Sequence, residues 1–160
     1  MYKLILLIKP YLSLAEKVFV TAGAVGLCVL YLQQDRLLLE VALLGLGITY
    51  FFQGYVPSEG TGRPESEPST MLYLVVLVIS PKMFWISSSI SCLGVAFFLI
   101  DFGNTGYMRL LMTGGLSIAL CLLCTGYYAL TGGKYLKQVI PSLVRAIPFM
   151  LMDAYLFFRT

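Results

Sequence analysis

The sequence predicts an all-α, polytopic membrane protein with four transmembrane helices in two tandem hairpins and interfacial amphipathic helices beside them. Three observations carry this. Hydrophobic residues make up 59% of the 160 positions and charged residues 12%, about half the charged share of a soluble domain, and mean hydropathy is +0.86. Four apolar segments approach the ~20 residues needed to cross a bilayer. Polar turn signals separate these segments in pairs. The length is that of one domain.

The first hairpin unit covers residues 1–56, with spans at 17–33 and 37–56. Between them lies the polar turn Gln33-Gln34-Asp35-Arg36. The N-terminus, with Lys3 ahead of apolar residues 4–8, superficially resembles a signal peptide. The run ends at Lys9-Pro10, shorter than a signal core requires, so we expect it to be retained. Residues 57–70, PSEGTGRPESEPST, contain no large apolar side chain and read as a solvated linker. The second unit covers residues 71–130, with spans at 84–102 and 107–130 joined by Gly103-Asn104-Thr105-Gly106. Residues 4–8 and 71–79 are too short to span. Pro10 and Pro81 follow them, so both are expected as interfacial or kinked extensions.

Residues 131–160 differ. Lys134, Lys137, Gln138, Ser142, Arg145 and Asp153 recur near multiples of the helical period, opposite Leu136, Val139, Leu143, Ile147 and Met150. This predicts an amphipathic helix in the interface plane, bent at Pro141 and Pro148. A fifth span over 146–158 would be short and would carry Asp153.

The two units read as copies. Residues 2–10 match 73–81 at an offset of 71, ending on Pro10 and Pro81, and Gly23 falls on Gly94. Gly54-Tyr55 falls on Gly126-Tyr127 at 72. Two spans per copy keep both copies in one orientation, unlike inverted transporter repeats.

Four spans place both termini and the linker on one side. That side carries Lys3, Lys9, Lys17, Arg63, Lys82, Lys134, Lys137, Arg145 and Arg159; the other carries Arg36 and Arg109. The positive-inside rule then makes both termini cytoplasmic in a cell (inner) membrane.

With no histidine in the chain, imidazole metal sites and histidine triads are excluded. There is no phosphate-binding glycine loop and no Lys/Arg block for nucleic acid. No cofactor or metal is expected. Cys121 and Cys124 form a CxxC spacing, the pattern of a thiol–disulfide relay. Cys121 lies twelve residues inward of Arg109, ~18 Å deep, where a redox pair lacks surface access. The packing reading explains more: Thr113, Ser117, Cys121, Cys124, Tyr128 and Thr131 share one helical face of mostly small, weakly polar residues. Gly47 on the second span, and Ser91 and Gly94 on the third, mark similar faces. The run Ser87-Ser88-Ser89 with Ser91 either lines a polar cavity or bonds back to its own helix.

Intramembrane carboxylates are functional suspects. Glu40 and Asp101 border the spans near the outer turns, and Arg36 stands four residues before Glu40, in range to pair on one face. Asp101 can pair with Arg109. The structural reading is ion pairs that close the hairpins; the functional reading is an ion or proton entry site.

The stretch Val25-Gly26-Leu27, Gln33-Gln34-Asp35-Arg36, Leu43-Leu44-Gly45 and Tyr50-Phe51-Phe52-Gln53-Gly54-Tyr55 resembles a two-span hairpin of Bacteroidetes inner-membrane proteins, such as the membrane subunit of the gliding and type 9 secretion motor. The resemblance covers residues 25–55 and implies a bacterial inner membrane. The tryptophan-proline-glycine turn is missing. The motor glutamate would fall near Thr49, so the motor function does not carry over.

Three function classes follow. The first is a non-enzymatic subunit or assembly factor of a larger membrane complex, supported by sparse polar machinery and abundant packing faces. The second is a small oligomeric transporter or channel using the serine run, Glu40 and Asp101. The third is a thiol redox protein resting on Cys121 and Cys124. The expected partners are the lipid bilayer and a membrane protein or further copies of this chain, and no nucleic acid.

Overall fold

The structure, a computed structural model, describes residues 2–33, 35–56, 71–100, 106–133 and 136–159, with side chains from residue 8 onward. Among the described residues every regular element is helical: α1 (Tyr2–Gln33), α2 (Leu37–Tyr55), α3 (Met71–Ile100), α4 (Gly106–Leu130), a 3-10 turn (Leu136–Gln138) and α5 (Ile140–Arg159). All five long helices are apolar and long enough to cross a membrane, one more than the sequence led us to expect. The linker 57–70, Asp101 and the turn residues Gly103-Asn104-Thr105 lie outside the described residues.

Leucine-rich runs favour the helical state. The polar turn at 33–36 ends α1, and the Asp35 carboxylate accepts a hydrogen bond from the Leu37 N–H at 3.0 Å, satisfying one of the orphan donors that open α2. At the other end of the second hairpin, Gly132 adopts φ +77°. Gly133 N–H reaches Tyr128 O at 3.0 Å and Gly132 N–H reaches Ala129 O at 3.2 Å. This pair of bonds is the Schellman stop, which requires a residue free to take the left-handed conformation, and it turns the chain toward α5.

The short segments ahead of Pro10 and Pro81 are extensions of the helices that follow them, one of the two arrangements expected. α1 runs through Pro10 as one helix. α3 runs from Met71 to Ile100 with a π turn at Val75–Ile79 just before Pro81. The proline ring cannot donate and crowds the carbonyl four residues back. The wider turn relieves this, and both Ser80 N–H and Ser80 Oγ (2.9 Å) bond to Val75 O. Val76 and Leu77 of the π turn are buried, so this segment belongs to the bundle.

α3 is the central helix. It packs against α2, α4 and α5, while α1 packs on α2. Half of α3's most apolar stretch is buried, against 11% of α1's. Apolar side chains form two clusters. One holds Tyr50, Phe84, Ile118, Tyr128 and Phe149; the other holds Leu39, Val95, Leu111 and Leu156. α3 and α4 approach closely: a Cβ on Gly114 would collide with Ser91 Oγ and stand 3.1 Å from Ser87 O. Small residues permit such contact between membrane helices.

The C-terminal segment departs most from expectation. α5 spans 20 residues, ~30 Å, the thickness of a bilayer core; the helix begins at Ile140, not Ala146. Its polar stripe is divided: Lys137, Gln138 and Arg145 are exposed. Ser142 and Asp153 are buried, and the helix packs on α3 and α4. Two members of the amphipathic pattern, Ser142 and Asp153, therefore point into the bundle.

Candidate functional site

The middle of the bundle holds a polar layer. Ser89 Oγ donates to Gly47 O at 2.7 Å. Gly47 is near the midpoint of α2 (Leu37–Tyr55), so the α3 serines lie ~12–15 Å from either end of that helix. Ser87, Ser88, Ser89 and Ser91 are all buried. Ser91 Oγ donates to Asp153 Oδ2 of α5 at 2.5 Å, and Asp153 is 3% exposed. Asp153 Oδ1 and Ser87 Oγ have no hydrogen-bond partner. The layer fastens α5 to α3 and lies between Phe84 of one apolar cluster and Val95 of the other.

A second network sits nearer the N-terminal end of α5. Arg145 Nε pairs with Glu16 Oε1 of α1 at 2.5 Å, and Gln53 Nε2 of α2 donates to Glu16 Oε2 at 3.2 Å. The Arg145 guanidinium stands 5.4 Å from the Trp85 ring centre, a cation–π distance. Trp85 packs against Tyr50 at 5.2 Å, and Tyr50 meets Phe149 edge-on at 5.6 Å. Four helices therefore converge on one glutamate and one arginine.

The residues singled out from sequence disperse. Arg36 Nη1 donates to Leu99 O at 3.3 Å, tying the α1–α2 turn to α3. Glu40 is half-buried, and no ion pair joins it to Arg36 among the described residues. Asp101 lies outside those residues, so its pairing with Arg109 has no structural counterpart to report. Arg109 is exposed, and its carbonyl accepts from Thr113 Oγ1 at 2.7 Å. Gly47, Ser91 and Gly94 are buried at helix contacts.

The α4 face is rotated from expectation. Its buried residues are Leu111, Gly114, Ile118, Cys121, Thr125 and Tyr128. Cys121 and Tyr128 belong to the expected face, but Thr113 is exposed and Ser117 and Cys124 are half-buried. All four cysteines are free thiols.

Sequence reasoning missed Glu16 and underrated Asp153. Glu16 borders the first span, next to Lys17, and is 9% exposed. A lone carboxylate inside each apolar helix was the available signal.

Two concavities open on the surface. A groove of about 310 Å³ between α4 and α5 is floored by Gly115, Ala119 and Ala154, flanked by Leu116 and Phe157, and backed by Asp153. A cavity of about 240 Å³ between α1, α2 and α3 carries Lys9, Ser13, Gln53, Lys82 and Trp85. Neither is lined by Cys121 or Cys124. Comparison with protein-family models, curated proteins and solved structures finds no match to this chain.

Proposed function

We propose that this protein is a non-enzymatic subunit or assembly factor of a larger membrane complex, and that a partner's transmembrane helix docks in the α4–α5 groove. The observation that carries this reading is the contrast between its polar and its concave surfaces. Ser89 and Ser91 are committed inside the bundle, to Gly47 O and Asp153, and the buried serine run lines neither of these concavities. The concave face of α4 and α5 is apolar with a floor of small residues, the surface on which membrane helices approach closely.

The orientation belongs to the same proposal. With five crossings the C-terminus lies opposite the N-terminus, and Arg159 joins Arg36 and Arg109 there. Lys3, Lys9, Lys17, Arg63, Lys82, Lys134, Lys137 and Arg145 stay on the N-terminal side, which keeps that side cytoplasmic in an inner membrane.

The test is extraction from native membranes in mild detergent, followed by mass spectrometry of co-purifying chains, for the native protein and for Ala119→Leu/Ala154→Leu. The reading predicts a stoichiometric partner that the filled groove releases. A pure homo-oligomer unaffected by the substitutions would favour a pore or carrier, to be pursued by liposome flux with Glu40→Gln and Asp101→Asn.

A further inference from the structure

We infer that the polar layer where α3, α4 and α5 meet is a binding site for one sodium ion, held by Asp153, Ser87 and Ser91.

Charge is the first argument. Asp153 stands on a helix long and apolar enough to cross a membrane and is 3% exposed. Its polar partner is the Ser91 hydroxyl, and no basic side chain pairs with it among the described residues. Buried charges are paired or bind metal ions, and an uncompensated carboxylate inside a bilayer is costly.

Two orphaned oxygens give a second, independent argument. Asp153 Oδ1 and Ser87 Oγ are both buried without a hydrogen-bond partner. Ser87 lies one turn before Ser91 on the same face of α3. A Cβ on Gly114 of α4 would collide with Ser91 Oγ and stand 3.1 Å from Ser87 O, and one on Gly115 would stand 3.3 Å from Asp153 Cβ. The three helices therefore gather these groups at one level. Oxygens that share a proton stand ~2.7–2.8 Å apart. Neither orphan has such a neighbour, so a proton on Asp153 would leave Ser87 Oγ unmade. A water between them would bond to both but leave the charge. A cation between them meets both needs. Ser91 Oγ gives its hydrogen to Asp153 and keeps its lone pairs for the ion.

The donor set selects the ion. All of these donors are oxygens, which suit hard cations. A single carboxylate balances one positive charge, whereas calcium takes about six to eight oxygens and draws on more acid groups. The close α3–α4 approach favours sodium over the larger potassium. The ion is enclosed by this chain alone, so the site stands apart from the docking of a partner helix.

The experiment follows thermal unfolding of the full chain in maltoside micelles by the fluorescence of Trp85, the only tryptophan. Sodium chloride replaces choline chloride at constant ionic strength. The expected result is a midpoint that rises with sodium, as for any ligand bound only by the folded state, and rises less with potassium. Ser87→Ala should raise the sodium needed for half the effect about tenfold or more, the usual cost of losing a group that supports a metal site. Asp153→Asn, which carries no charge, should fold without sodium and show no response. Ser142→Ala, a buried α5 serine bonded to Val139 O, should respond as the native chain does. Should Asp153→Asn fail to fold, the contrast between Ser87→Ala and Ser142→Ala decides. Equal midpoints in sodium and choline would leave Asp153 neutralised by a proton and overturn the inference. An equal response to sodium and potassium that survives Ser87→Ala would be a general salt effect and overturn it too.

Discussion

Replacing Ser91 by alanine removes one oxygen and isolates the bond that fastens α5 to the bundle. Ser91 is fully buried and Asp153 is 3% exposed. Because Asp153 Oδ1 has no partner, loss of the Ser91 bond leaves the whole carboxyl group without a donor. Stranding a buried polar group costs ~1–3 kcal/mol in soluble proteins. Interhelical bonds in membranes average ~0.6 kcal/mol and reach ~1.7. Full burial places Ser91→Ala at the upper end of the membrane range, ~1.5 kcal/mol, or roughly tenfold in the folding equilibrium. In an Asp153→Leu background the same change has nothing to strand, and its cost should fall below ~0.5 kcal/mol. Unfolding in mixed micelles with rising dodecyl sulfate, followed by Trp85 fluorescence, gives all four corners of the cycle. Equal costs in the two backgrounds would refute the reasoning, because Ser91 would then act through packing alone.

Other outcomes follow from the same geometry. Glu16→Ala strands Arg145 and Gln53 together; because Arg145 is 42% exposed, solvent screens part of the loss, and we expect ~1 kcal/mol with a shift in Trp85 emission. Lys17→Ala, one residue away and exposed, should leave both readouts unchanged. Gly114→Leu forces a side chain into Ser91 and the α3 backbone and should cost ~1–3 kcal/mol by overpacking, read in the same titration. Reporters fused at the N-terminus and after Thr160 should fall on opposite sides of the membrane; reporters on one side would return α5 to the interface plane.

Much of the helical plan was legible in the sequence, and the reasons for the failures are physical. The turn at 33–36 marks the end of α1 and the start of α2 directly, whereas α1 and α3 begin well ahead of the expected spans, at Tyr2 and Met71. Gly47 and Gly94 were legible as contact points because only small residues let helices approach. The polar stripe of α5 reads as one surface, yet Lys137, Gln138 and Arg145 are exposed while Ser142 and Asp153 are buried, a division that periodicity does not report. The partner of Asp153, Ser91, lies 62 positions away. Glu16 and Arg145 are separated by 129, beyond any local pattern. The α4 face was misplaced for a related reason. Lipid is as apolar as leucine, so Leu111 and Ile118 point inward while Leu116 and Leu123 point outward, and hydropathy cannot separate them.

The reading of this chain as a complex subunit is tested most directly in the membrane itself. A photo-crosslinking residue at Leu116, which is 65% exposed beside the α4–α5 groove, should capture one foreign membrane protein, and Ala119→Leu/Ala154→Leu should abolish that product. Crosslinks to lipid alone, or to a second copy of this chain, would contradict the account.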